Sequence, residues 1–554
     1  MEVELKFLVP RVAVAAVKAE MARATATCRR ISLAALYLDT EDRRLAEAGL
    51  AWRVRREGRR WVQTLKSGSA NALERFEHEV VRPDASHDAS QHAGSATGDR
   101  LIAVLHRARK DGVELGVRYR TEVRRTVRKV RTRGALVELA FDEGRLVAGD
   151  ASARISELEF ELVSGSVAGM VALAERWRKR FGLIFDPRSK AERGDRLADG
   201  SPFPKLRKAG ALRYPVTASA DEAFGAVIDE CLAQITRNAI GLIEGDPALR
   251  VEHVHQLRVG IRRLRSALRS FGGWTRPPPA ELVAGLRSVF DMLGKARDSD
   301  VLGGGVVAEL AGVGAPPLTW PATAAGPDPV EVVRAAEAQA GFLAWIAWRS
   351  GLAERGRGGP GESAPPPSSD ETLPAGDADG TDVLSSLPPS PLASADVPGP
   401  ASLGEPDGGQ TFRREAVRRL RRWHRRIVAD WKVFDDLDEA GLHALRKRIK
   451  RQRYAVEFFA PVLRRRGVQR YLAVLAAIQE RMGLLNDLFV ARGHYQALVE
   501  SDPAAWFALG WIAARIAAVR TLAGPDLGRL AKENLPKARR RGSRRRSMSG
   551  PASG

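Results

Sequence analysis

The chain has 554 residues, too many for one compact domain, so two or three folded units are expected. It carries 89 Lys plus Arg against 67 Asp plus Glu, a net charge of +22, which points to an anionic partner: nucleic acid, polyphosphate, a phosphorylated small molecule or an acidic membrane surface. Two cysteines, Cys28 and Cys231, exclude a disulfide framework and a cysteine-based zinc site, and suit a reducing compartment.

Residues 1–200 predict strands. The chain opens MEVELKFLVP. In a strand, residues two apart share a face, so Glu2, Glu4 and Lys6 point one way and Val3, Leu5 and Phe7 the other. Arg53 and Arg55 flank Val54, and Thr64 and Lys66 flank Leu65. Arg75, Glu77 and Glu79 alternate with Phe76, His78 and Val80. Arg118, Arg120, Glu122, Arg124 and Arg128 are assigned the face opposite Val117, Tyr119, Val123 and Val127. Glu138 and Asp142 alternate with Val137, Leu139 and Phe141, and Glu157, Glu159 and Glu161 with Leu158, Phe160 and Leu162. An antiparallel sheet with one wet face gives such alternation routinely. Repeated over six strands with both signs at high density, it suits a barrel with a charged lumen. There Arg and Lys would hold a polyanion such as triphosphate, and carboxylates would hold divalent cations that bridge to it. Residues 83–99 read as a flexible polar loop and 201–217 as a linker between domains.

From Ala218 helical periodicity takes over, at 218–245, 250–272, 279–296, 329–350, 412–434, 438–460, 466–484, 486–500 and 503–523. Residues 352–411, rich in Pro, Gly, Ser and Asp, predict a disordered insertion within this 218–525 domain, and the basic segment 526–554 a disordered tail. The apolar run 504–514 is too short to span a bilayer and reads as a buried helix. With no charged-then-apolar leader at the start, a soluble cytoplasmic protein is expected.

The helical part repeats internally. HQLRVGIRRLR begins at His255 and HALRKRIKRQR at His443. Cations follow at the same offsets: Arg258, Arg262, Arg263 and Arg265 in the first copy, Arg446, Lys450, Arg451 and Arg453 in the second. Asp298 and Asp487 lie one helix further on in each. Two helix hairpins related by a pseudo-twofold are the economical account. His255, Arg258, Arg262 and Arg265 share a helix face, as do His443, Arg446, Lys450 and Arg453, and the two faces together would form a cationic groove. A zinc site on His255 and His443 lacks neighbouring ligands. Aromatic residues are sparse on these helices, so base stacking and a specific nucleic-acid partner are not indicated.

Residues 1–200 resemble the CYTH superfamily, the triphosphate tunnel metalloenzymes. The resemblance lies in ExExK at the start, YLDTED at 37–42, AWRVRREG at 51–58, TLKSG at 64–68, ERFEHE at 74–79, LAFDEG at 139–144, SELEFEL at 156–162 and RSKAERG at 188–194. It implies an eight-stranded antiparallel tunnel that binds a triphosphate with Mg²⁺ or Mn²⁺ and directs a metal-activated water at a terminal phosphoryl group. By it, Glu2, Glu4, Glu157 and Glu159 would ligate metal, with Glu161 and Asp142 as further candidates. Lys6, Arg53, Arg55, Lys66, Arg118 or Arg120, Arg124 and Lys190 would bind phosphates, and Lys6 beside Glu4 would position the water. Residues 218–525 resemble the CHAD family, a helical domain that binds inorganic polyphosphate, on the two His motifs with LGKARDSDV at 293–301 and LLNDL at 484–488. The expected protein is an α+β multidomain one: a tunnel followed by an all-α bundle of two pseudo-symmetric repeats. The expected activity is hydrolysis of inorganic triphosphate, near polyphosphate granules in the cytoplasm and without a membrane. A class IV adenylate cyclase or thiamine triphosphatase on the same scaffold, or a non-catalytic granule protein, are the alternatives.

Overall fold

The computed structural model describes residues 2–23, 28–68, 74–304, 306–318, 326–357 and 408–539. Most of the expected insertion and the tail from 540 lie outside the described residues, as do the side chains of Glu2, Arg75 and Asp298.

The first half is a β-barrel. Its strands are β1 (Glu2–Leu8), β2 (Cys28–Thr40), β3 (Leu50–Glu57), β4 (Arg60–Gly68), β5 (Glu74–Arg82), β6 (Leu115–Thr132), β7 (Ala135–Ala148), β8 (Ala151–Gly165) and β9 (Ile184–Phe185). They pair in the order β5-β4-β3-β2-β6-β7-β8-β1-β9, and β5 returns to β1 through Glu2 opposite Arg75 and Val3 opposite Glu74. Eight strands therefore close the expected antiparallel tunnel. The ninth, not expected from the sequence, pairs with Phe7 and Leu8 on the edge of β1 that β5 leaves open, so those backbone groups are not stranded. Gly134 and Gly149 sit at positive φ in the tight β6–β7 and β7–β8 turns, where a side chain would be strained.

Helices α1 (Val14–Ala22), α2 (Arg44–Glu47), α3 (Ala96–Lys110), α4 (Val167–Phe181) and α5 (Lys190–Ala198) cover the barrel. Outward apolar residues such as Phe7, Leu139, Phe141 and Phe160 pack on Met170, Leu173 and Trp177 of α4. Trp52, Val54 and Leu65 pack on Leu101 and Val104 of α3. Residues 83–99 are not a loose loop: they hold a helical turn and the start of α3, pinned by buried His92, which lies 3.0 Å from Gln63 and 2.8 Å from His78. Helix α5 lies across one end of the barrel, so close that a Cβ on Gly194 would overlap the Tyr119 ring.

The second half is helical: α6 (Ala220–Glu244), α7 (Arg250–Phe271), α8 (Ala280–Gly304), α9 (Val306–Gly312), α10 (Pro329–Arg334), α11 (Ala336–Arg357), α12 (Gly408–Lys432), α13 (Glu439–Phe459), α14 (Arg465–Leu498) and α15 (Ala505–Lys532). The hairpins α6–α7 and α12–α13 carry the two His motifs. The two helices expected at 466–484 and 486–500 are one, α14, because no breaker separates them. Residues 352–357 and 408–411 are helical, and 526–532 continue α15, which narrows the insertion and the tail. The run 504–514 is only partly buried: Trp506 is 64% exposed and Phe507 is exposed beside it. Among the described residues α15 is the one helix long and apolar enough to cross a membrane.

The two halves share one core, running from Phe7, Phe160 and Trp177 to Phe224, Phe342 and Trp345. Helix α11 packs on α4, and the Phe185 amide donates to buried Gln339 at 2.9 Å. The segment 201–217, expected as a linker, is fixed: Tyr214 donates to the Phe458 carbonyl at 2.6 Å, and Arg207 pairs with Glu230 at 2.7 Å.

Candidate active site and cationic groove

The barrel encloses a cavity of about 460 Å³ lined by charges of both signs. Arg53, Arg55 and Lys66 come from β3 and β4. Their registers place Arg53 opposite Thr64 and Ala51 opposite Lys66, so the three converge on one side. Lys66 pairs with Glu77 at 2.6 Å, and Arg55 with Glu79 at 3.3 Å and with Glu57. Tyr37 lies 3.3 Å from Arg53. Burial opposes the charge on Arg53, but Tyr37 and Glu77 outweigh it and hold the guanidinium above its ordinary value.

The opposite wall is acidic, and its layers follow the strand register. Glu161 of β8 stands opposite Glu4 of β1 and Glu138 of β7. Glu159 stands opposite Lys6, and Glu157 opposite Asp142. Burial, then Glu138 and Glu4, raises the carboxyl of Glu161 above the usual range. Asp142, Glu157 and Glu159 each offer an oxygen within 4.8 Å of the other two. Cations hold them together. Lys190, from the first turn of α5, lies 2.7 Å from Asp142 and 2.8 Å from Glu159 and also touches Glu157. Arg125 grips Asp142 through two bonds of 2.8 and 2.7 Å and reaches Glu159 at 2.6 Å. Arg193 bonds Glu157 at 3.0 Å. Burial would neutralise Glu159 and Asp142; Lys190 and Arg125 overcome it and keep both below the usual carboxylate range. Three convergent carboxylates of this kind fit a hard divalent cation such as Mg²⁺ or Mn²⁺.

Of the residues expected in the tunnel, Glu4, Lys6, Arg53, Arg55, Lys66, Asp142, Glu159, Glu161 and Lys190 line the cavity, and Glu157 is buried against Lys190 and Arg193. Glu2 is on β1. Arg118, Arg120 and Arg124 are not in the lumen. Arg118 pairs with Asp195 of α5 at 3.4 Å and with Asp199 just past its end, Arg120 pairs with Glu122 at 3.3 Å on the exposed face, and Arg124 is exposed. The lumen face of β6 is Thr121, Val123, Arg125 and Val127, one residue out of step with the sequence reading. That reading took the apolar side of β6 as the covered outer face; in fact the charged side meets solvent. Arg125 was missed, and its signal is the register that sets it opposite Asp142.

In the helical half, α7 and α13 pack together around a smaller cavity of about 60 Å³, lined by Arg262, Arg265, Arg269, Lys447, Lys450 and Arg451 with Ser266 and Tyr454. The expected Arg262, Arg265 and Lys450 do meet there; Arg269 and Lys447 join them. Three others turn away. Buried Arg258 donates to the Phe290 carbonyl at 2.6 Å with its guanidinium 4.0 Å from the ring centre, because α8 closes over that turn. Buried Arg263 pairs with Glu457 beneath the rings of Tyr454 and Phe458. Arg453 pairs with the same Glu457 at 3.1 Å. His255 and Arg446 are half-buried and do not line the cavity. His443 meets Asn486 at 3.2 Å, 43 residues on, while Asp487 is exposed. In the first copy the same offset from His255 falls on Asp298.

Comparison with known proteins gives a CYTH domain over residues 1–194 and a CHAD domain over 226–496. The chain is 27% identical over 161 residues to an inorganic triphosphatase of Haemophilus influenzae, a match covering 28% of this chain and 44% of that protein's length. Among solved structures, the CHAD domain from the plant Ricinus communis is 28% identical, covering 60% of this chain and 99% of that one, with a TM-score of 0.40. A Hippeastrum protein described as an adenylyl cyclase candidate with a dominant triphosphatase activity is 19% identical, covering 37% of this chain and 98% of that one, with a TM-score of 0.28. The chain belongs to the proteins that join a CYTH tunnel domain to a CHAD helical domain.

Proposed function

We propose that the tunnel is a metal-dependent triphosphatase acting on inorganic triphosphate, and that the helical domain binds inorganic polyphosphate and keeps the enzyme beside it, at polyphosphate granules in the cytoplasm. The carrying observation is the placement of Asp142 and Glu159, with Glu157 buried beside them, across the lumen from Arg53, Arg55 and Lys66. The likeness to an inorganic triphosphatase supports the reading over part of the chain.

Arg53, Arg55 and Lys66 bind the phosphate oxygens, the arginines through two parallel hydrogen bonds each. Asp142, Glu157 and Glu159 would hold Mg²⁺ or Mn²⁺, with Glu4 and Glu161 in the adjoining layer. When bound there, a divalent cation would supply a lowered pKa for its water and charge to offset that on the transferring phosphoryl group. Lys6, buried between the acidic layers, orients the water and neutralises negative charge as it builds. Lys190 has a flexible four-carbon stem, so its ammonium is able to turn from the carboxylates to a phosphate. Among the described residues Tyr37 is the aromatic one of the lining; it is buried with one ring face stacked on Tyr119 at 4.6 Å, which leaves little aromatic surface for an adenine and favours inorganic triphosphate over a nucleotide. The groove of Arg262, Arg265, Arg269, Lys447, Lys450 and Arg451 suits a linear polyanion.

The test is phosphate release from inorganic triphosphate, ATP, thiamine triphosphate and long-chain polyphosphate with Mg²⁺ or Mn²⁺, wild type beside Glu4→Gln. Rapid release from inorganic triphosphate, lost in the variant, is expected. Release of pyrophosphate and a cyclic nucleotide from ATP would make it a cyclase; no turnover on any substrate would leave a binding protein.

A further inference from the structure

The first turn of α5 reaches both halves of the molecule. Lys190 enters the tunnel and holds Asp142, Glu157 and Glu159, and Arg193 holds Glu157. Between them, Glu192 accepts from Arg237 of α6 at 2.6 Å. Arg237 belongs to the helical domain, on the helix paired with α7, whose cations line the groove. Beside this ion pair lie Asp186 and Arg188, both buried and joined by two bonds of 2.9 Å. The Asp186 amide donates to the backbone carbonyl of Lys6 at 2.9 Å. The far end of α5 is fastened separately: Arg43 holds Asp195 and Asp199, and Arg118 holds the same two.

We propose that Arg237 is a positioning residue for the tunnel: by holding Glu192 it fixes the first turn of α5, and so sets Lys190 and Arg193 on the three carboxylates. The inference rests on the metal-dependent reading of the tunnel. Its physical basis is leverage. Ser189 caps the turn, its Oγ accepting from the Glu192 amide at 3.0 Å, so Glu192 lies in the same turn as Lys190 and an ion pair on its carboxylate restrains that turn. A displacement of about 1 Å at a reacting centre is enough to cost orders of magnitude in rate. Asp195 and Asp199 keep the rest of the helix seated, so the pair governs alignment and not folding.

The experiment uses the full chain as wild type, Arg237→Ala, Arg237→Lys and Glu192→Gln. Mn²⁺ affinity is measured by calorimetry without substrate, kcat and KM with inorganic triphosphate, amide exchange over residues 190–198, and Tm. Arg237→Ala and Glu192→Gln should weaken Mn²⁺ binding and kcat/KM by about tenfold, the lower end for partners behind metal ligands. Exchange should quicken in the first turn of α5, Tm should move little, and Arg237→Lys should recover most of the loss. Wild-type affinity and turnover in Arg237→Ala overturn the proposal. So does a loss that follows a large fall in Tm and is not recovered by lysine. A wild type that neither binds Mn²⁺ nor hydrolyses any triphosphate sinks the tunnel reading and this one together; a working wild type beside an unchanged Arg237→Ala sinks this one alone.

Discussion

Among the described residues, the cavity of the barrel is lined by seven cations and eight carboxylates, the cavity between α7 and α13 by six cations and no carboxylate. Both suit phosphate, but in different ways. In the tunnel nearly every charge has an opposite neighbour, so the side chains are held in place before any ligand arrives and a divalent cation has a seat. In the groove six cations stand together, and a polyanion is attracted to them whatever the spacing of its charges. Mixed charge suits chemistry on one substrate; a lining of one sign suits holding a long and variable one.

The largest effect that would break this contrast comes from the acidic wall. Glu159→Gln should lower triphosphate turnover by at least about 100-fold and weaken Mn²⁺ binding, with polyphosphate affinity unchanged. Steady-state kinetics beside a polyphosphate pull-down reads both; equal loss in the two assays would erase the distinction. Next, the triple variant Arg262→Ala, Arg265→Ala, Lys450→Ala should lose about 10- to 100-fold in polyphosphate affinity and flatten its dependence on salt, while turnover on triphosphate holds. A titration at three salt concentrations decides it. Smaller again, Arg55→Gln should raise KM for triphosphate by about tenfold, the cost of one bidentate phosphate contact.

The smallest effect lies outside both cavities and sharpens the contrast by control. Burial, then the neighbouring His78, pushes His92 down to about 4. The unfolded chain takes up that proton near the ordinary histidine value of about 6.5, so stability is full above that pH and declines between it and about 4. Tm should therefore fall on acidification from pH 7 to 5, and His92→Gln should flatten the slope; equal slopes would remove His92 from the account.

The faces of β1, β3, β7 and β8 were legible in the sequence because one side of each is covered by apolar neighbours from α3 or α4, so alternation had a single meaning. On β6 it had two. Arg124 and Arg125 are adjacent, their strand is wet outside and charged inside, and only its pairing with β7 decides which of them meets Asp142. In the helices the repeat itself was plain. Which of its arginines faces the groove depends on neighbours distant in sequence: Phe290 takes Arg258, and Glu457 takes Arg263 and Arg453. His92 sits in a polar, small-residue stretch whose composition gives no hint of burial; its partners Gln63 and His78 come from strands.

The bond from Phe185 to Gln339 crosses 154 residues of chain. On a ribosome adding about 5–20 residues per second, that separation is a delay of roughly 8–30 seconds. For that interval the barrel has been made, yet the side of α4 that will meet α11 is bare, and β9 lacks its final acceptor. The nascent protein thus carries an apolar patch through much of its own synthesis, a window in which a holding chaperone has something to grip and in which a stalled ribosome leaves a sticky product.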